Sequence, residues 1–142
     1  MYKEFKNFMD VEGQKANIYI KDFEIHTTPL EVITTNTNTV IVELDDIHEK
    51  RYKLTACPYQ GIRITTIDCV SSEDYYNEYC FRDGIYHRHI LTVDESPWID
   101  ELKKNLTDKR ATFLDHAKHF VLPLQEIDVE IVCSRLVIEE VK

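Results

Sequence analysis

The sequence predicts an α+β domain: a mainly antiparallel sheet of about seven or eight short strands, with one clear helix at about residues 97–106. Three observations predict it. Short runs of alternating apolar and polar residues recur along the chain. The stretches between them are too brief for parallel crossovers, which need a dozen residues or more. One segment switches to helical spacing behind a serine-proline pair. The 142 residues are 43% apolar, enough for one domain, 1–142, with a sizeable core and no need of staples.

Residues 1–15 are polar and mixed and read as a loosely held lead-in. From Ile18 to Ile25 the text is β-rich, and Pro29 stops it. Residues 30–35 and 39–44 form the arms of a hairpin about Asn36-Thr37-Asn38, residue types that tolerate left-handed backbone. Tyr52, Leu54 and Ala56 alternate with Arg51, Lys53 and Thr55, so one face is buried and the other wet. In 61–70, Ile62 and Ile64 share one parity and Ile67 and Cys69 the other. That strand is either buried on both faces or bulged near Thr65-Thr66. Glu73 to Tyr79 reads as helix or loop.

Ile85 to Val93 is a strand opened by Asp83-Gly84. Ser96 then caps the helix, Pro97 takes its first position, and Trp98, Leu102 and Leu106 recur at i, i+4 and i+8. Ala111 to Lys118 adds a short second helix. Phe120, Leu122 and Leu124 make a strand in which Pro123 implies an edge or a bulge. A last long strand runs from Val129, with a phase change between Cys133 and Leu136.

Seventeen Lys+Arg against 26 Asp+Glu leave a net charge of −9. A generic nucleic-acid binder needs a basic face, and an anionic membrane surface repels this one. No apolar run exceeds three residues, so neither a membrane span nor a signal peptide is expected, and the reading is a soluble cytoplasmic protein. The four cysteines, Cys57, Cys69, Cys80 and Cys133, have no metal or redox spacing and are expected as free thiols. Cys57, Cys69 and Cys133 sit in apolar text as small core hydrophobes; Cys80, in Tyr75-Tyr76-Asn77-Glu78-Tyr79-Cys80, is the open case.

Few motifs carry chemistry. The chain has no nucleophile elbow, phosphate loop or dinucleotide fingerprint, and no cofactor is expected. His87 and His89, two apart on a strand, point to one side and are a weak metal pair; hydrogen-bonded, partly buried histidines are the plainer outcome. His116 and His119 are neighbours only on a helix, and a solvent-exposed or capping role is expected for both. Tyr75, Tyr76 and Tyr79 form a recognition patch or pack over a sheet end.

The segments Pro58-Tyr59-Gln60-Gly61-Ile62-Arg63-Ile64-Thr65-Thr66-Ile67-Asp68-Cys69, Ser96-Pro97-Trp98-Ile99-Asp100-Glu101-Leu102 and His119-Phe120-Val121-Leu122-Pro123-Leu124-Gln125, followed by Val129-Glu130-Ile131, resemble a family of small uncharacterised bacterial proteins. Its pattern is PYQ-x-[IV]-R-[IV]-TT-x-DC, SPW-x-x-EL and HF-[IV]-LPLQ. The resemblance covers roughly residues 50–135 and implies a bacterial cytoplasmic setting, not an activity. It singles out Arg63, Asp68 and Trp98 as binding candidates. Arg63 and Asp68 converge only if the bulge intervenes; Glu130 faces solvent or pairs with a basic neighbour such as Arg63.

Two functions follow. The first is a non-catalytic protein-binding domain, immunity-like, whose acidic face meets a basic protein partner. The acid excess is mild before residue 72 (8 bases, 11 acids) and larger from there on (9 bases, 15 acids). The alternative is a small metal-binding protein or enzyme using His87, His89, His116 or His119 with Cys80 or a carboxylate. Self-association through a sheet edge is a third route to a partner.

Overall fold

The computed structural model describes residues 14–26, 31–69 and 75–142. The expected lead-in lies outside these residues except for Gln14 and Lys15, which belong to the first strand. In order come β1 (Gln14–Ile18), β2 (Val32–Thr35), β3 (Val40–Asp45), β4 (Arg51–Ala56), β5 (Tyr59–Thr66), β6 (Tyr75–Tyr76), β7 (Phe81–Arg82), β8 (Ile85–Tyr86) and β9 (Leu91–Val93). Helix α1 (Pro97–Lys104), β10 (Lys118–Pro123), β11 (Ile127–Cys133) and β12 (Leu136–Glu140) complete the described chain. The fold is α+β, strand-rich with one clear helix. Among the described residues β6 joins in parallel, to β1, and the other strand pairs are antiparallel. No helix among them is long and apolar enough to cross a membrane.

Two sheets hold the core between them. One runs β5-β11-β10-β9-β1-β6 and the other β12-β4-β3-β2; β7 and β8 form a separate small ribbon. Val40, Val42, Leu44, Leu54 and Ala56 of the smaller sheet meet Phe120, Leu122, Val129, Ile131 and Cys133 of the larger in one buried cluster. The alternation along β3, β4, β10 and β11 puts every second residue there. The hairpin β2–β3 turns as its sequence requires: Asn36 N–H donates to the Thr39 carbonyl, and the Asn36 side chain accepts from the Asn38 and Thr39 amides.

β10 and β11 are buried on both faces, which is why their text is nearly continuous in apolar residues. Their second face carries a smaller cluster of Ala16, Cys80, Leu91, Val93 and Val121. It also carries Asp128, Glu130 and His119, all buried.

Several local expectations are corrected. The strand predicted over Ile18–Ile25 is β1, displaced to Gln14–Ile18; Ile25 makes only an isolated bridge to Asp46. The phase change around residue 65 is not a bulge. β5 ends at Thr66 and Ile67–Cys69 turns as a 3-10 helix, and the register shift lies at the other end, opposite Val132 and Cys133. The last long strand is two strands in two sheets, so each of its phases faces its own neighbours. Pro123 is in a central strand, tolerated because it is the last residue of β10, beyond the stretch that pairs with β9. Ile85–Val93 breaks into β8 and β9, and Ala111–Lys118 forms only the 3-10 turn Phe113–His116 before β10 begins.

Candidate functional site

The site is built on the outer face of the larger sheet, where α1 begins. Arg63 of β5 lies directly across from Glu130 of β11, and both face away from the main core because Ile62, Val129 and Ile131 face into it. β10 brings His119 to the same face, in register with Val132 and Val93. Parallel β6 supplies Tyr75 from beyond β1. The turn after β9 places Ser96 and Trp98.

Glu130 is the hub. Arg63 donates through Nε to Oε2 at 3.1 Å and through Nη2 to Oε1 at 2.8 Å. The Tyr75 hydroxyl donates to Oε1 at 2.6 Å, and His119 Nε2 lies 2.8 Å from the same oxygen. Burial by itself would raise this carboxyl; the hydrogen bonds from His119, Arg63 and Tyr75 outweigh it and bring it down to about 2. Burial and the same carboxylate push the Tyr75 phenol up. Glu130 is therefore a buried anion held by three donors, the arrangement that makes a buried charge tolerable.

His119 continues the chain. Because ionised Glu130 only accepts, Nε2 carries the proton donated to it, and Nδ1 lies 2.7 Å from the Ser96 hydroxyl, from which it accepts when the ring holds that one proton. Ser96 Oγ also accepts the Ile99 amide at 3.2 Å and so caps α1. The imidazole is clamped edge-on between Tyr75 and Trp98, with ring centroids 5.5 and 5.1 Å away. Trp98 carries Arg63 on its face at 4.3 Å. The indole rests on Gly61, where a Cβ would come within 2.9 Å of the ring.

A cleft of about 320 Å³ opens beside Ser96, between the start of α1 and the 113–116 turn. Asp94, Glu95, Asp100 and Asp115 line it, together with Lys103 and Lys118. Lys103 Nζ is 3.4 Å from Asp115 Oδ1, and Asp94 Oδ2 accepts from Asn17 Nδ2 at 2.6 Å.

A second cluster gathers at the β7–β8 ribbon. Glu24 accepts from His87 Nδ1 at 3.1 Å and from Arg82 Nη2 at 3.3 Å, with His89 Nε2 at 3.9 Å. His89 is buried, with Nδ1 2.8 Å from the Phe23 carbonyl, and burial lowers its pKa. Tyr79 packs under the Arg82 guanidinium at 4.2 Å.

The structure thus brings Arg63, Tyr75 and Trp98 together and sends Tyr79 to the other cluster. Tyr76 is on β6, and its side chain lies outside what is described. Asp68 is exposed on the 3-10 turn after β5, so with no bulge at 65–66 it does not converge on Arg63. The four histidines do not gather either. His87 and His89 share Glu24, His116 is exposed, and His119 is buried in the Glu130 network rather than exposed or capping. Among the described residues no group of three or more His, Cys, Asp or Glu is placed to hold a metal ion. Cys133 is a core thiol as expected and Cys57 is half-buried, but Cys69 is exposed, because β5 ends before it. Cys80 lies in the smaller core, where burial pushes its thiol up to about 11.

Sequence reasoning missed His119 as a network member, Ser96 beyond its cap, and Gly61 as the seat of Trp98. Glu130 between two core residues carried the signal: a charged residue in a doubly buried strand requires partners. No family model, curated protein or solved structure matches this chain.

Proposed function

We propose that the chain is a protein-binding domain whose contact surface centres on Arg63, Trp98 and Tyr75, and that its partner is a protein with a basic surface. One observation carries the reading. Arginine, tryptophan and tyrosine are the side chains that dominate the energetics of protein interfaces. Here all three are held in one arrangement by the buried Glu130–His119 pair while Arg63 keeps 44% of its side chain in solvent. Such side chains lose little rotamer freedom on binding, and preorganisation raises affinity by cutting that cost. The net charge of −9 supports a basic partner, since complementary charge steers encounter and suppresses wrong pairings.

The test is affinity capture from the source cell with wild-type chain and Trp98→Ala side by side, followed by titration of the retained protein in purified form. The expected partner is basic, binds more weakly as salt rises, and loses about 30-fold in affinity to Trp98→Ala. Retention that is equal for the two chains, or no partner above background, overturns the proposal.

A further inference from the structure

The geometry points to a second capability, which shares the Glu130–His119 pair with the contact surface: we propose that Ser96, His119 and Glu130 form a nucleophilic relay that hydrolyses small esters carrying a cationic group in the adjoining cleft. The connectivity is that of an activated serine. Ser96 Oγ is 2.7 Å from His119 Nδ1, and His119 Nε2 is 2.8 Å from Glu130 Oε1. This is a nucleophile within reach of a base, and a base oriented by a carboxylate. The third member is itself fixed by Arg63 and Tyr75, so the imidazole has one orientation and one tautomer.

Three further features fit the role. Ser96 sits at a sharp strand-to-helix turn, and the residue before it, Glu95, has φ 51°. A non-glycine residue in the left-handed region is strained backbone of the sort that gathers at functional sites. Ser96, itself 4% exposed, also borders the 320 Å³ cleft, so a space of small-molecule size adjoins the residue. The cleft's carboxylates, Asp94, Glu95, Asp100 and Asp115, outnumber its two lysines, of which Lys103 is already paired with Asp115. That lining selects a cationic substrate.

The steps balance. Ser96 Oγ attacks the ester carbonyl carbon as its proton passes to His119 Nδ1, and Glu130 stabilises the imidazolium. The C–O bond to the alcohol breaks, and His119 returns the proton to the departing alkoxide. Water then attacks the acyl-Ser96 carbonyl, giving its proton to His119, and the acid leaves as Ser96 regains a proton. The reactants are ester and water, and no oxidant or reductant is involved.

The experiment uses the full chain with a fluorophosphonate probe read by mass spectrometry, and p-nitrophenyl acetate as reporter substrate. Acetylthiocholine is compared with its uncharged isostere, 3,3-dimethylbutyl thioacetate. Ser96→Ala weakens the cap of α1, so Ser96→Asn, which keeps a capping acceptor but has no hydroxyl, is run beside it. Expected are a phosphonyl adduct on Ser96, loss of p-nitrophenyl acetate turnover by about 100-fold in both variants, and preference for the cationic thioester. Absence of a Ser96 adduct in folded wild-type chain, or turnover equal to that of both variants, overturns the relay. Equal rates on the two thioesters overturn the cationic specificity. Trp98→Ala binding, measured separately, distinguishes failure of this relay from failure of the contact surface.

Discussion

Arg63 and Glu130 face each other across β5 and β11, the guanidinium donating in two places to a carboxylate that is only 6% exposed. The pair ties an edge strand to a central one and orients two further residues, Tyr75 and His119, that donate to the same oxygen. Removing the carboxylate leaves all three donors without their acceptor.

Glu130→Ala is therefore expected to destabilise the fold by about 2–3 kcal/mol, the cost of leaving buried donors on His119 and Tyr75 unsatisfied while the half-exposed Arg63 turns to solvent. Denaturant unfolding measures it. A loss below about 1 kcal/mol would show that the network contributes little to stability.

The pH dependence follows from the same carboxylate. Its folded pKa, about 2, lies below the ordinary 4.5, so its stabilisation is complete above pH 4.5 and lost as pH falls toward 2. A shift of that size corresponds to about 3 kcal/mol. Stability measured between pH 5 and 2 should fall steeply in the wild type and less so in Glu130→Gln, which has no proton to take up at this site. Parallel profiles would refute the assignment.

Gly61→Ala places a methyl 2.9 Å from the Trp98 ring. The indole has to move, at about 1–3 kcal/mol, the usual range for overpacking. Trp98 is the one tryptophan of the chain, so its fluorescence reports the shift directly; an unchanged spectrum and melting temperature would mean that the ring yields freely.

Thiol reactivity should separate the cysteines. Cys69 is exposed, whereas burial raises Cys80 to about 11 and Cys133 to about 12. Alkylation of native chain at pH 8 is expected to modify Cys69 well before either, and Cys80 and Cys133 only on unfolding. Early modification of Cys80 would place it outside the smaller core.

The elements that were legible in the sequence are those decided locally. Ser96-Pro97 starts α1 because a hydroxyl cap and a fixed φ act within one turn, and Asn36-Thr37-Asn38 closes a hairpin through contacts three residues apart. Alternation exposed the inward faces of β3 and β4. The breaks were less legible: the phase change near residue 65 read as burial on both faces or a bulge, and the one between Cys133 and Leu136 as a change within a single strand, yet one is a strand ending and the other a crossing between sheets. Periodicity records which face is buried, not against which sheet.

For the site, sequence alone brought forward Arg63, Tyr75 and Trp98 and offered Arg63 as a mate for Glu130. It did not reach His119, whose neighbours Asp115 and His116 are close in the chain but remain on an exposed turn. By itself, then, the sequence determined the class of fold, its one clear helix and the acidic balance, all set by composition and short-range spacing. Tertiary structure alone decided that Ser96, His119 and Glu130 form one hydrogen-bonded chain. They come from a helix cap and two strands, and only the stacking of β9, β10 and β11 in register brings their polar atoms within 3 Å.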